Sequence, residues 1–139
     1  MKWFERIIDA ILWLGLAAIL ALVIAVVLGG VTLTVRNESK SVIDGVTVDY
    51  VRGVAKVGTL RPGEEWSDDL GEIGEGADFL LSFQQDGAKF QENSNVYFHG
   101  LGFRTHVVLH VLEDQQIRVT EGDEHFSAPK KAVRMSDAR

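Results

Sequence analysis

The sequence predicts an all-β domain, an immunoglobulin-like antiparallel β-sandwich of about seven to eight strands, carried behind one N-terminal transmembrane helix. Three observations predict it. Residues 10–28 form an unbroken apolar run. Residues 31–120 alternate apolar and polar side chains, as a sheet with one buried face requires. Turn-forming residues interrupt that alternation at short intervals.

The helix comes first in the chain. The run AILWLGLAAILALVIAVVL, from Ala10 to Leu28, lacks any charge, and at helical rise it covers about 28 Å of hydrocarbon. A core helix of a soluble protein would keep a polar face, and this stretch has none. Trp3, Phe4 and Trp13 suit an interfacial end. The Gly29-Gly30 pair supplies the stop. Lys2 and Arg6 form a basic n-region, so a cleaved signal peptide competes with this reading. The apolar run is longer than an ordinary h-region, however, and Glu5 and Asp9 dilute the n-region, so an uncleaved signal anchor is preferred. The resulting plan is a short tail at 1–6, a single-pass signal-anchor helix at 7–29, a β-domain at 31–120 and a disordered tail at 121–139.

Several strands are read from alternation. Val31, Leu33 and Val35 share one face, as do Val46, Val48 and Tyr50, and Phe79, Leu81 and Phe83. Further candidates are 54–60, 87–91, 96–99, 103–113 and 116–120. Asp44-Gly45 and Asp86-Gly87 are expected hairpin turns, and Pro62-Gly63 an expected type II turn. No helical segment is present to cover a parallel sheet, so hairpin-linked strands in two packed layers are the expected closure. After Thr120 the chain is polar, with Lys130, Lys131, Arg134 and Arg139 at its end, and too poor in apolar residues to form a core.

Composition removes several functions. The 139-residue chain has no cysteine, which excludes disulfides, thiolate metal sites, a Cys nucleophile and an acylated cysteine. A net charge of −6 disfavours nucleic acid and anionic lipid surfaces.

The search for chemistry begins with His106 and His110, whose spacing would suit one metal on a helix. On a strand they stand about 13 Å apart, too far to share an ion. They are expected, with Arg104, on a wet face opposite Val107, Leu109 and Val111. No Gly-x-Ser-x-Gly elbow selects a serine, and Gly71, Gly74 and Gly76 lie among acids that would repel phosphate.

The most unusual stretch runs from Pro62 to Ala88 and contains Glu64, Glu65, Asp68, Asp69, Glu72, Glu75, Asp78 and Asp86 with no Lys or Arg. A solvated loop and sheet edge accounts for it most simply. Its functional readings are docking of a basic partner and calcium binding, although the regular spacing of a calcium loop is missing. Tyr97 and Phe98, beside the glycines at 100 and 102, are a second candidate contact, set against simple packing in the core. Within the helix, Ala17, Ala21, Ala25 and Gly29 recur every fourth residue, a stripe that permits self-association into a homo-oligomer.

The expectation is therefore a membrane-anchored, non-enzymatic module. It would act by protein–protein interaction in the cell envelope as an accessory subunit, inhibitor or immunity-type protein, without a cofactor or resident metal. Its short N-terminal tail favours a periplasmic or extracellular β-domain on the cell's inner or plasma membrane. The alternative is a small envelope hydrolase or metal-dependent enzyme using His99, His106 or His110.

Overall fold

The apolar run forms α1 (Lys2–Leu28), a helix long and apolar enough to cross a membrane, and its Lys2–Ile24 portion is entirely unburied. The computed structural model describes residues 1–71, 73, 76–97, 104–121, 125–126 and 128–135, with the side chains of 25–28, 97 and 125–126 outside that description. A single residue, Gly29, separates α1 from β1 (Gly30–Asn37). Gly30 has φ +139°, and a Cβ there would lie 3.2 Å from the Gly71 carbonyl, so any other residue at this point would be strained and crowded.

Behind β1 follow β2 (Ile43–Tyr50), β3 (Gly53–Leu60), β4 (Glu65–Gly71), β5 (Gly76–Gln85), β6 (Ala88–Tyr97), β7 (Arg104–Val111) and β8 (Gln116–Glu121). Three two-residue strands end the described chain: β9 (His125–Phe126), β10 (Lys130–Lys131) and β11 (Val133–Arg134). The first sheet has the order β10-β8-β7-β1-β4, with β9 also on β8, and the second has β11-β6-β5-β2-β3. The pairing is mainly antiparallel. The exception is the parallel pair β1–β7, in which Gly30 stands opposite Arg104 and Asn37 opposite Val111.

Alternation builds the core as expected for these strands. Leu33, Val35, Val107, Leu109 and Val111 point inward from the first sheet, and Val46, Val48, Phe79 and Leu81 from the second, all with no exposed surface. Each such side chain contributes about 1.5–3 kcal/mol on burial. Phe83 and Phe90 stack across β5 and β6 with centroids 5.6 Å apart.

Three expectations need correction. Residues 88–91 and 96–97 are parts of the single strand β6, whose polar residues Gln91–Asn95 continue the ladder with β5, and 98–99 lie outside the described residues. Asp44-Gly45 is not a hairpin turn: it lies in β2 at an irregular register, and the actual β2–β3 turn is Val51-Arg52. Of the acidic stretch, read as a solvated loop and sheet edge, Glu65–Gly71 forms β4 on the edge of the first sheet, while Asp78 lies on β5 in the second. Residues 130–134 do not remain a free tail. They pair first with β8 and then with β6, and Ala132 between the pairs is buried and donates its N–H to the Gln115 carbonyl at 2.8 Å. Unpaired edge N–H and C=O groups on both sheets supply the partners that polar side chains could not advertise. By contrast, Asp86 and Gly87 have φ +51° and +78° and turn β5 into β6, as expected.

Register also fixes the two ends of the domain. Val31 opposes Gly71, and Arg104 opposes Gly30, so β4 ends and β7 begins where α1 enters. Residues 72–75 can bridge at most about 17 Å, half the length of β5, so β5 also begins at that end. Asp49 pairs with Leu80 near the start of β5, which places the Val51-Arg52 turn there as well.

Candidate functional site

The outer face of the first sheet carries the charged and histidine side chains. Strand β1 is central to it, flanked by β4 and β7, so β1's outward row Thr32, Thr34 and Arg36 meets outward residues of both neighbours. Arg36 donates to Glu65 through Nε at 2.8 Å and Nη2 at 2.7 Å, and its Nη1 lies 3.8 Å from Glu38. Glu38 in turn lies 2.8 Å from Nδ1 of His110, and His110 Nε2 lies 2.8 Å from the Thr120 hydroxyl. A carboxylate only accepts, so Nδ1 carries the proton. Both ring nitrogens are thus engaged.

A second row joins Ser67, Thr34 and His106. The Thr34 hydroxyl lies 2.5 Å from the Ser67 Oγ and 2.7 Å from the His106 Nε2. This is not a nucleophile and its base. The hydroxyl touching the histidine belongs to Thr34, which is 2% exposed beneath its neighbours and out of a substrate's reach. A third row pairs Arg104 with Asp69 at 2.7 Å. The Gly71 N–H, 3.0 Å away, holds the Asp69 carboxyl below the usual carboxylate range; desolvation opposes it, and the Arg104 guanidinium adds to it.

The expected wet-face residues of β7 lie where the alternation puts them: Arg104 and His106 are exposed, and the His110 side chain is 12% exposed. Among the described residues no three His, Asp or Glu side chains gather as a metal would need. His99 and Phe103 lie outside the described residues.

The acidic residues proposed as one surface are dispersed. Glu64 accepts from the Arg61 N–H within a turn, and Asp68 accepts from the Asp69 N–H. Glu65 and Asp69 face arginines on β1 and β7, while Asp78, on the other sheet, accepts from Asn95 at 2.7 Å. Glu72, Glu75 and Phe98 lie outside the described residues, as does the side chain of Tyr97, the last residue of β6. In the helix, Ala17 and Ala21 are exposed, the Ala25 side chain is not described, and Gly29 falls beyond the helix end.

The outer face of the second sheet differs in kind. Beside the charged Asp49, Asp78 and Lys89 it carries a group of uncharged donors and acceptors: Thr47, Ser82, Gln84, Gln91, Asn93 and Asn95. A depression of about 310 Å³ lies among Thr47, Ser82, Gln84, Lys89, Gln91 and Met135. Gln91 bonds Ser82 at 3.0 Å, whereas Gln84, Lys89 and Asn93 project into solvent. On the first sheet the polar groups satisfy one another. On the second, several stay available to a partner. The alternation of β6 was the available signal for this face, obscured when its polar middle was read as a break.

A scan of protein-family models and a search of curated proteins find no match to this chain.

Proposed function

We propose that this is a single-pass membrane protein whose β-domain acts by protein–protein interaction at the surface of the bilayer, in the cell envelope, as an accessory, inhibitory or immunity-type module. One observation carries the reading: α1 carries an uncharged apolar run from Ala10 to Leu28, is unburied over Lys2–Ile24, and joins β1 through one residue. A linker that short confines the domain to the membrane surface and raises its effective concentration against neighbouring membrane proteins. The open hydrogen-bonding groups around Gln84, Lys89, Gln91 and Asn93 form the preferred contact surface. Exposed Glu64 and Asp68 offer a basic partner a smaller one.

The immunoglobulin-like assignment belongs to the same proposal. The order β3-β2-β5-β6 follows the sequence C′, C, F, G of a variable-type sheet, while the parallel β1–β7 pair and the appended β8 depart from that plan.

The test places a photoreactive residue at Asn93 in the full-length protein in its native membrane. A discrete protein adduct, absent when the residue is placed at Lys40 on the far end of the domain, is expected. Adducts to lipid alone, or none above the Lys40 control, would overturn the interaction reading. The periplasmic or extracellular side is tested separately by fusing alkaline phosphatase to the C-terminus, where an inactive fusion sinks that assignment.

A further inference from the structure

The β2–β3 turn is built from residues that turns do not favour. Tyr50 pairs with Gly53 across the two-residue connection Val51-Arg52, where a tight hairpin would ordinarily use Asn-Gly or Asp-Gly. Neither Val51 nor Arg52 takes a positive φ, so the turn does not have the geometry that would demand such residues. Nor does the core require them: Val51 is 75% exposed and Val54, just beyond it, 53%. Arg52 is exposed and makes no ion pair among the described residues. Half-buried Tyr50 packs against the core, and its hydroxyl lies beside Gly53. The tip thus presents two bare valines flanked by a tyrosine and an arginine, side chains with apolar bodies and polar ends suited to a membrane–water boundary.

The fold puts this tip at the end of the domain where α1 enters, as the registers Val31–Gly71 and Asp49–Leu80 require. We infer that the Val51-Arg52 turn is a second membrane contact, seating its valines in the headgroup region beside the anchor and fixing how the domain stands on the bilayer. The inference rests on the reading of α1 as a membrane span. Asp49, Asp69 and Asp78 share this end of the domain with Arg52 and Arg104, so no excess of positive charge selects anionic lipid, the lipid it fits is zwitterionic, and the contact is apolar in origin. Added salt should leave it unchanged.

Because the chain has no cysteine, single-site labelling tests this directly in the full-length protein. Val51→Cys, Leu20→Cys and Asp86→Cys are each coupled to an environment-sensitive fluorophore in phosphatidylcholine vesicles containing nitroxide-labelled lipid. The expected result is a blue shift and quenching at 51 as well as at 20, with solvent-like emission at 86, at the opposite end of the domain. Quenching at 20 with solvent-like emission at 51 overturns the second contact and leaves the anchor standing. Equal quenching at 51 and 86 also overturns it, since the domain would then lie along the bilayer rather than stand on its α1 end. An unquenched 20 overturns the anchor reading, and the inference with it. A blue shift at 51 in intact membranes, without nitroxide quenching in vesicles, would assign the tip to a protein partner and overturn the lipid contact.

Discussion

At the scale of single residues, Asn37 ties the first sheet to the second. It is fully buried; its Nδ2 donates to the carbonyls of Ser41 at 2.8 Å and Leu60 at 2.9 Å, and its Oδ1 accepts from the N–H and hydroxyl of Ser39. Alanine there would strand a buried carbonyl of β3 and loosen the Ser39–Ser41 turn. Asn37→Ala should therefore lose about 2–4 kcal/mol in urea unfolding in mild detergent. A loss below about 0.5 kcal/mol, the range of a surface substitution, would show that solvent replaces these bonds. Asp69 gives a pH-dependent counterpart. Its carboxyl titrates lower folded than unfolded, so its stabilisation is complete above the unfolded value near pH 4 and is lost as pH falls through the folded one. Asp69→Asn should thus melt slightly below wild type at neutral pH, with the gap closing in acid. A gap that persists at low pH would assign the difference to the Arg104 hydrogen bond alone.

At the scale of elements, legibility followed the completeness of each strand's apolar row. Strands β1, β2, β5 and β7 were readable because Leu33, Val48, Leu81 and Leu109 each stand in an unbroken inward series. Strand β4 was not: its inward row runs Trp66, Asp68, Leu70, and a carboxylate in that row reads as loop. Asp68 is exposed there, and a charge on an edge strand also discourages a second molecule from adding a strand. The wet face of β7 was legible for the same reason as its core face. Its partners were not, since Thr34, Glu38 and Asp69 reach His106, His110 and Arg104 only through the parallel β1–β7 pairing and the unforeseen β4, contacts that leave no local trace in sequence. The short strands β10 and β11 make a sharper case, because they contribute few apolar atoms and bind by edge hydrogen bonds. Ala132→Glu would put a charge where Ala132 is 5% exposed and should cost about 1–3 kcal/mol, whereas Lys130→Glu on the surface should cost less than about 0.5. Equal effects would mean that 130–134 is not docked and that the disordered tail read from composition stands.

At the scale of the whole molecule, the question is whether helix and β-domain are one folding unit or two. Every described core residue lies at or beyond Val31, and none comes from α1. Burial is the main source of folding stability, so a helix that contributes no buried surface contributes little to the domain's free energy. Seated in a bilayer as proposed, α1 would draw its stability instead from the surrounding hydrocarbon, which leaves its backbone bonds no competing water. Cutting the chain before Gly30 should then separate two properties carried by one sequence. The β-domain should retain its urea midpoint, measured against the full chain in the same detergent, and should stay in solution when the detergent is removed. It should no longer float with phosphatidylcholine vesicles, because the Val51-Arg52 tip alone buries too little apolar surface to hold the domain on a bilayer. A lowered midpoint would show that α1 packs against the domain. Flotation that survives the cut would show that the domain's own surface holds the membrane without its anchor.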